Sequence, residues 1–190
     1  MLESEPLKKL SAFALLFCVV VACKQSESAG RSTTVKSSDG KFQLTVPDGW
    51  KETSGLHDKA RIQVANEGAE LYVIVLTESK SDSGADTLDK FTELMRNALK
   101  EQKGATDTAQ PESVTVNGNE ARQFELHGTL NNVKAVTLVN IVETQDHFHQ
   151  VISWTSQAKY DENKATLKQV IDSFRAVPAS GSDSDPSSTP

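Results

Sequence analysis

The sequence predicts an α+β fold in which a mainly antiparallel β-sheet is flanked by helices, and three observations carry that prediction. Asn117-Gly118 separates two strand-like runs, and Asn-Gly at such a place is a strong hairpin signal because both central residues of the turn take positive φ. Two runs, residues 70–78 and 133–143, are apolar without alternation, as expected of strands covered on both faces. Only two stretches carry apolar residues at spacings of three and four, so hairpins rather than βαβ units make most of the connections.

In chain order, a strand at 33–37 turns through Ser38-Asp39-Gly40 into a strand at 41–46. There Phe42, Leu44 and Val46 alternate with polar residues, the period of a half-buried strand. Pro47-Asp48-Gly49 stops it, and Trp50 is expected to fold back over the sheet end. A strand at 60–65 turns at Asn66-Glu67-Gly68 into the two-sided strand 70–78. After a loop, Asp86 or Thr87 caps a helix whose stripe is Leu88, Phe91, Leu94, Met95, Ala98 and Leu99, with Gly104 as its C-terminal stop. Strands at 112–116 and 119–128 form the Asn-Gly hairpin. A second turn at 130–132 leads into 133–143, and Thr144-Gln145-Asp146 turns into 147–156, with Phe148, Ile152 and Trp154 on one face. A helix over 159–174 closes the domain on Tyr160, Leu167, Val170, Ile171 and Phe174. The expected order is β-β-β-α-β-β-β-β-α.

The flanks differ in kind. Residues 10–22 are apolar but short of the roughly twenty needed to cross a bilayer, and Lys8-Lys9 precede them, which suits a cleaved signal segment. Val20-Val21-Ala22-Cys23 resembles the lipobox of bacterial lipoproteins, which implies cleavage before Cys23 and lipidation of its thiol, with palmitate-type acyl chains. Two or three chains on one residue suffice for stable anchoring. Lys24 is not the Asp that retains enteric lipoproteins at the inner membrane. By the same resemblance, the outer membrane facing the periplasm is expected if the source is a diderm. The domain plan is therefore a signal peptide at 1–22, a flexible tether at 23–32, a folded domain at 33–177 and a disordered Ser/Asp/Pro-rich tail at 178–190.

Formal net charge is −6, a poor match for nucleic acid or anionic headgroups. The two cysteines are Cys18, inside the signal, and Cys23, so the mature domain has no disulfide and rests on packing.

Candidate chemistry is sparse. His147 and His149 stand at i and i+2 of a strand, so both rings share one face and are candidate Zn²⁺ or Cu²⁺ ligands, with Glu143 or His127 as a third. Two partly exposed strand histidines are the plainer account of them. Ser54, His57, Asp48 and Asp58 form a hydrolytic set on paper, with no nucleophile elbow around Ser54. Asp82, Asp86 and Asp89 lack the Gly and terminal Glu of a calcium loop. Trp50 and Trp154 are candidates to line a binding groove. No phosphate loop or dinucleotide fingerprint occurs, and no cofactor is expected.

Three segments together resemble the PsbP-like and DcrB-like proteins: FQLTVPDGW at 42–50, VTVNGNEA at 114–121 and KATLKQVIDSFR at 164–175. The resemblance spans 41–175. It implies an α/β/α sandwich and a mostly non-enzymatic family whose bacterial members are often envelope lipoproteins, and it carries no catalytic residue onto this chain. The expected function is a non-enzymatic, lipid-anchored envelope lipoprotein acting as a binding or assembly module. It would hold the membrane through Cys23 and engage a protein partner. The alternatives are a metal-binding lipoprotein using His147 and His149, or a hydrolase.

Overall fold

The computed structural model describes residues 31–107 and 109–177. The signal segment, Cys23, nearly all of the tether and the tail lie outside the described residues.

Eleven strands and two α-helices are present among the described residues. In the first half, β1 (Ser32–Lys36), β2 (Phe42–Pro47) and β3 (Lys51–Glu52) are followed by β4 (Ile62–Asn66), β5 (Leu71–Ser79) and α1 (Leu88–Lys103). In the second half, β6 (Thr106–Asp107), β7 (Glu112–Val116), β8 (Asn119–Leu130), β9 (Val133–Glu143) and β10 (His147–Ser156) are followed by α2 (Tyr160–Asp172) and β11 (Arg175–Ala176). The mainly antiparallel α+β expectation holds, with every strand pairing antiparallel.

The strands form two sheets rather than one. The large sheet runs β3-β4-β5-β10-β9-β8-β6, with β7 also on β8, and a small sheet runs β1-β2-β11. Phe42, Leu44 and Val46 are buried while the residues between them are half-exposed. A hairpin with one apolar face packs as a lid on a core and does not extend a sheet that needs two. The two-residue strands β3, β6 and β11 are too short to leave a period-2 signal.

Side-chain parity sorts the large sheet into two cores. Val73, Val75, Leu138, Val142 and Val151 face α2 and the small sheet. Ile74, Phe124, Val139, Ile141, Phe148 and Ile152 face α1. Phe148, Ile152 and Trp154 do share the α1 face. Phe91 of α1 stacks on Phe148 with centroids 4.5 Å apart and both rings fully buried.

The turns follow their residues. Asn117 (φ 48°) and Gly118 (φ 87°) both sit in the left-handed region, as do Asn131 and Asn132 of the second hairpin. Asn117 Nδ2 also donates to the carbonyls of Asp172 and Phe174, at 3.0 and 2.8 Å, and so satisfies the C-terminal end of α2. Thr87 is the N-cap of α1, its Oγ1 accepting from the Lys90 N–H, and Gly104 ends the helix at φ 54°.

The α1 stripe is narrower than its spacing implied. Leu88 and Phe91 are buried and Met95 and Leu99 half-buried, while Ala98 is exposed and Leu94 42% exposed. The helix packs on β8 and β9, so its far flank has no sheet beneath it. That flank forms one wall of the site described next.

Candidate functional site

Because α1 covers β8 and β9, the α1 face of β5 and the last half of β10 is left open. The result is a groove of about 970 Å³. Tyr72, Ile74 and Trp154 form its floor, and Met95, Ala98 and Leu99 form one wall. Leu56, on the loop after β3, stands on the other side, and the β8–β9 hairpin closes in at one end with Leu130 and Val133. Tyr72 and Trp154 are direct partners in the β5–β10 register, and their rings stack at 5.5 Å and 12°. Aromatic rings opposed across a strand pair reinforce the sheet and present a flat apolar surface. Val133 is 55% exposed at the rim. Polar groups gather at the same end: Glu70 pairs with Lys159 (Nζ–Oε1 3.3 Å), and Ser156 and Asn131 line the opening. An open groove of this size, its floor and walls mainly apolar and its polar groups gathered mostly at one end with Gln150 at the other, has the form of a site for an apolar ligand.

Of the two candidate tryptophans, Trp154 lines this groove and Trp50 does not. Trp50 is 8% exposed and belongs to the core on the α2 side, with Leu71 and Val73. The two tryptophans are on opposite sides of the large sheet and line no common groove.

His147 and His149 share a face as their spacing requires, with ring centroids 6.0 Å apart. The rest of a metal centre is not assembled around them. His149 is fully buried between Phe42 and Phe174, its Nδ1 3.0 Å from Thr77 Oγ1 and its Nε2 3.0 Å from Thr144 Oγ1. A neutral imidazole has one donor and one lone pair, and here both are engaged by hydroxyls. Burial, with the neighbouring His147 second, pushes His149 down to about 4. Glu143 is opposite Phe148 and so faces α1, where it binds Lys80 at 2.7 Å. His127 is on the correct face but far along it. Its strand reaches the level of His149 at Ala121, six residues or about 20 Å away. No group of three or more His, Cys, Asp or Glu among the described residues is placed to hold a metal.

The hydrolytic set is not assembled either. Ser54 is exposed, and His57 Nδ1 accepts from the Lys59 N–H within its own turn. The three loop aspartates go separate ways: Asp82 to Ser81, Asp86 to Lys90 and Asp89 to Arg122.

One cluster has no signature in the sequence. On the α2 face, Glu125 accepts from Tyr160, lies 2.8 Å from His127 Nε2 and 3.4 Å from Lys164 Nζ. Burial works to raise the Glu125 carboxyl, but the bonds to Tyr160 and His127 and the nearby Lys164 outweigh it and hold the group below its ordinary value. Burial, with the Glu125 carboxylate next, raises Tyr160. The residues are 35 positions apart on β8 and α2, and only the fold joins them. Tyr72 escapes a sequence reading for a different reason. It stands within an apolar run that reads as a covered strand, and its polar-tipped ring is the one available signal that a face stays open.

Among the described residues no helix is long and apolar enough to cross a membrane. No curated protein matches the chain. Solved structures do. CyanoP, the cyanobacterial PsbP of Synechocystis sp. PCC 6803, aligns over 83% of this chain and 99% of its own, with a TM-score of 0.54 and 12% identity. LpqN, involved in cell envelope biogenesis of Mycobacterium tuberculosis, aligns over 78% of this chain and 91% of its own, with a TM-score of 0.58 and 15% identity. A protein of Bacteroides thetaiotaomicron VPI-5482 aligns over 78% of this chain but only 48% of its own, with a TM-score of 0.51 and 13% identity. These likenesses establish a PsbP-like fold, as the sequence resemblance implied. A family profile, that of the serine/threonine kinase C-terminal domain, matches residues 34–176 from β1 to β11, and the chain belongs to that family.

Proposed function

We propose that the chain is a non-enzymatic, lipid-anchored envelope lipoprotein that acts as a binding module, with Cys23 the lipidated residue and the α1-side groove the binding surface. The observation that carries the reading is the groove itself, with its stacked Tyr72–Trp154 floor and, among the described residues, no lysine or arginine along its lining. Half-buried aromatic and aliphatic side chains lining an open groove have the form of a binding surface. The fold shared with an envelope-biogenesis protein supports an envelope setting. The family takes its name from the C-terminal domain of kinases. The described residues form two helices on an antiparallel sheet, and the function proposed is binding and not phosphotransfer. His147 and His149 are not part of it, since the His149 lone pair is already engaged.

A Trp50→Phe variant leaves Trp154 as the single tryptophan. Added 1-anilinonaphthalene-8-sulfonate is expected to bind saturably and to take up excitation from Trp154, and an added Ala98→Glu is expected to abolish both effects. Dye binding that never saturates, or that ignores Ala98→Glu, overturns the groove. Cys23→Ala is expected to move the protein out of the membrane fraction in high salt, and retention there overturns the anchor.

A further inference from the structure

Resting on that anchored-groove reading, we infer that the groove takes a single acyl chain of a bilayer lipid, entering from the end of the domain that the membrane tether holds toward the bilayer. Length comes first. The groove lining runs along β10 from Gln150 to Ser156, six residues or about 20 Å. One leaflet of a bilayer's hydrocarbon core is about 15 Å deep, so one chain fits lengthwise. A ten-residue peptide helix, about 15 Å long and at least 10 Å across, needs roughly 1,200 Å³ or more and overfills the space.

Direction comes second. At one end of the groove, past Leu76 and Gln150, the same face of β10 carries Phe148, fully buried beneath Phe91 of α1. The open end carries Glu70, Ser156 and the Leu130–Val133 tip. The described chain starts at this same end. Ser32 pairs with Pro47, two residues before Gly49, and a Cβ on Gly49 would stand 3.0 Å from Asn66 Nδ2. Asn66 pairs with Leu71, the neighbour of Tyr72. Residues 24–31 can span at most about 29 Å, so an anchor at Cys23 keeps the groove mouth close to the lipid surface. Val133, apolar and exposed at the hairpin tip, with Lys134 next to it, is suited to that contact. Polar groups at the mouth then meet the headgroup region while the chain lies on Tyr72 and Trp154.

The test uses the full lipidated chain carrying Trp50→Phe, reconstituted in phosphatidylethanolamine–phosphatidylglycerol vesicles with or without bromine on the acyl chains. Bromine quenches only a tryptophan in near contact. Trp154 is expected to lose most of its emission in the brominated vesicles and to recover it when Ala98→Glu is added, while both forms float with the vesicles. Ala98 is exposed and glutamate is a good helix former, so unchanged far-ultraviolet circular dichroism accompanies the variant. Flotation and saturable dye binding without quenching overturn the lipid assignment and leave the groove and anchor standing. Quenching that survives Ala98→Glu shows that Trp154 merely rests on the bilayer and overturns it as well. Failure to float removes the anchor on which the inference rests and overturns both.

Discussion

Mild acid should destabilise this domain chiefly through one residue, His149. Its imidazole is fully buried and pushed from 6.5 down to about 4, first by burial and then by His147. Between those values the unfolded chain binds a proton that the folded chain excludes. Stability therefore rises with pH across the window and is lost as pH falls through it. The full contribution is present above pH 6.5. Lowering the pH from 7.5 to 4.5 removes about 2–3 kcal/mol, at ~1.4 kcal/mol for each pH unit crossed inside the window, a large fraction of the stability of a small domain. The measurement is urea unfolding followed by tryptophan emission at pH 7.5, 6.5, 5.5 and 4.5, for the parent chain and for His149→Gln. Glutamine does not titrate and retains a hydrogen-bonding group for Thr144. The variant is expected to start lower at pH 7.5, because it fills less of the space between Phe42 and Phe174, yet to change much less between 6.5 and 4.5. Depressed carboxyls such as Glu125 and Asp39 destabilise both proteins at lower pH still and cancel in the difference. Parallel pH profiles for the two proteins would refute the reasoning.

Phe91→Ala should cost about 3–5 kcal/mol in the same unfolding assay, because it deletes a fully buried ring stacked on Phe148. Asn117→Ala should cost about 1–2 kcal/mol, since it removes both donors to the end of α2 and an αL-tolerant residue from the turn. Tyr160→Phe should move the Glu125 carboxyl upward in a nuclear magnetic resonance titration, because the removed hydroxyl is a bond that favours the charged form.

How much of this is legible in the sequence depends on the range of the interaction. Local chemistry is readable. Asn117-Gly118 has to be a turn because its φ angles are a property of the two residues, and the capping of α1 by Thr87 and Gly104 is equally local. The alternation in β2 is visible too, but it names a buried face without naming what covers it, so it does not separate the small sheet from the large one. The His-x-His spacing correctly places both rings on one face. It says nothing of Thr77, 72 residues away, which engages His149, or of the register that turns Glu143 to the other side. The groove exists because α1 stops short of β5, and that is a matter of where a helix docks, beyond the reach of its own periodicity. The Glu125–Tyr160 contact belongs to the same class.

The small sheet also bears on when the domain can become whole. Its middle strand, β2, is bonded on one side to β1 and on the other to β11, near opposite ends of the described chain. Val177 donates to Lys41, and Ser173 Oγ accepts from Thr45 across 128 residues. A ribosome that has released everything up to α2 still withholds the strand that completes this sheet, and contacts so distant in sequence form slowly. The small sheet is thus kept from closing until residues 175–177 have been made. For the exported protein proposed above, that delay leaves the small sheet incomplete while the chain is threaded through a translocation channel.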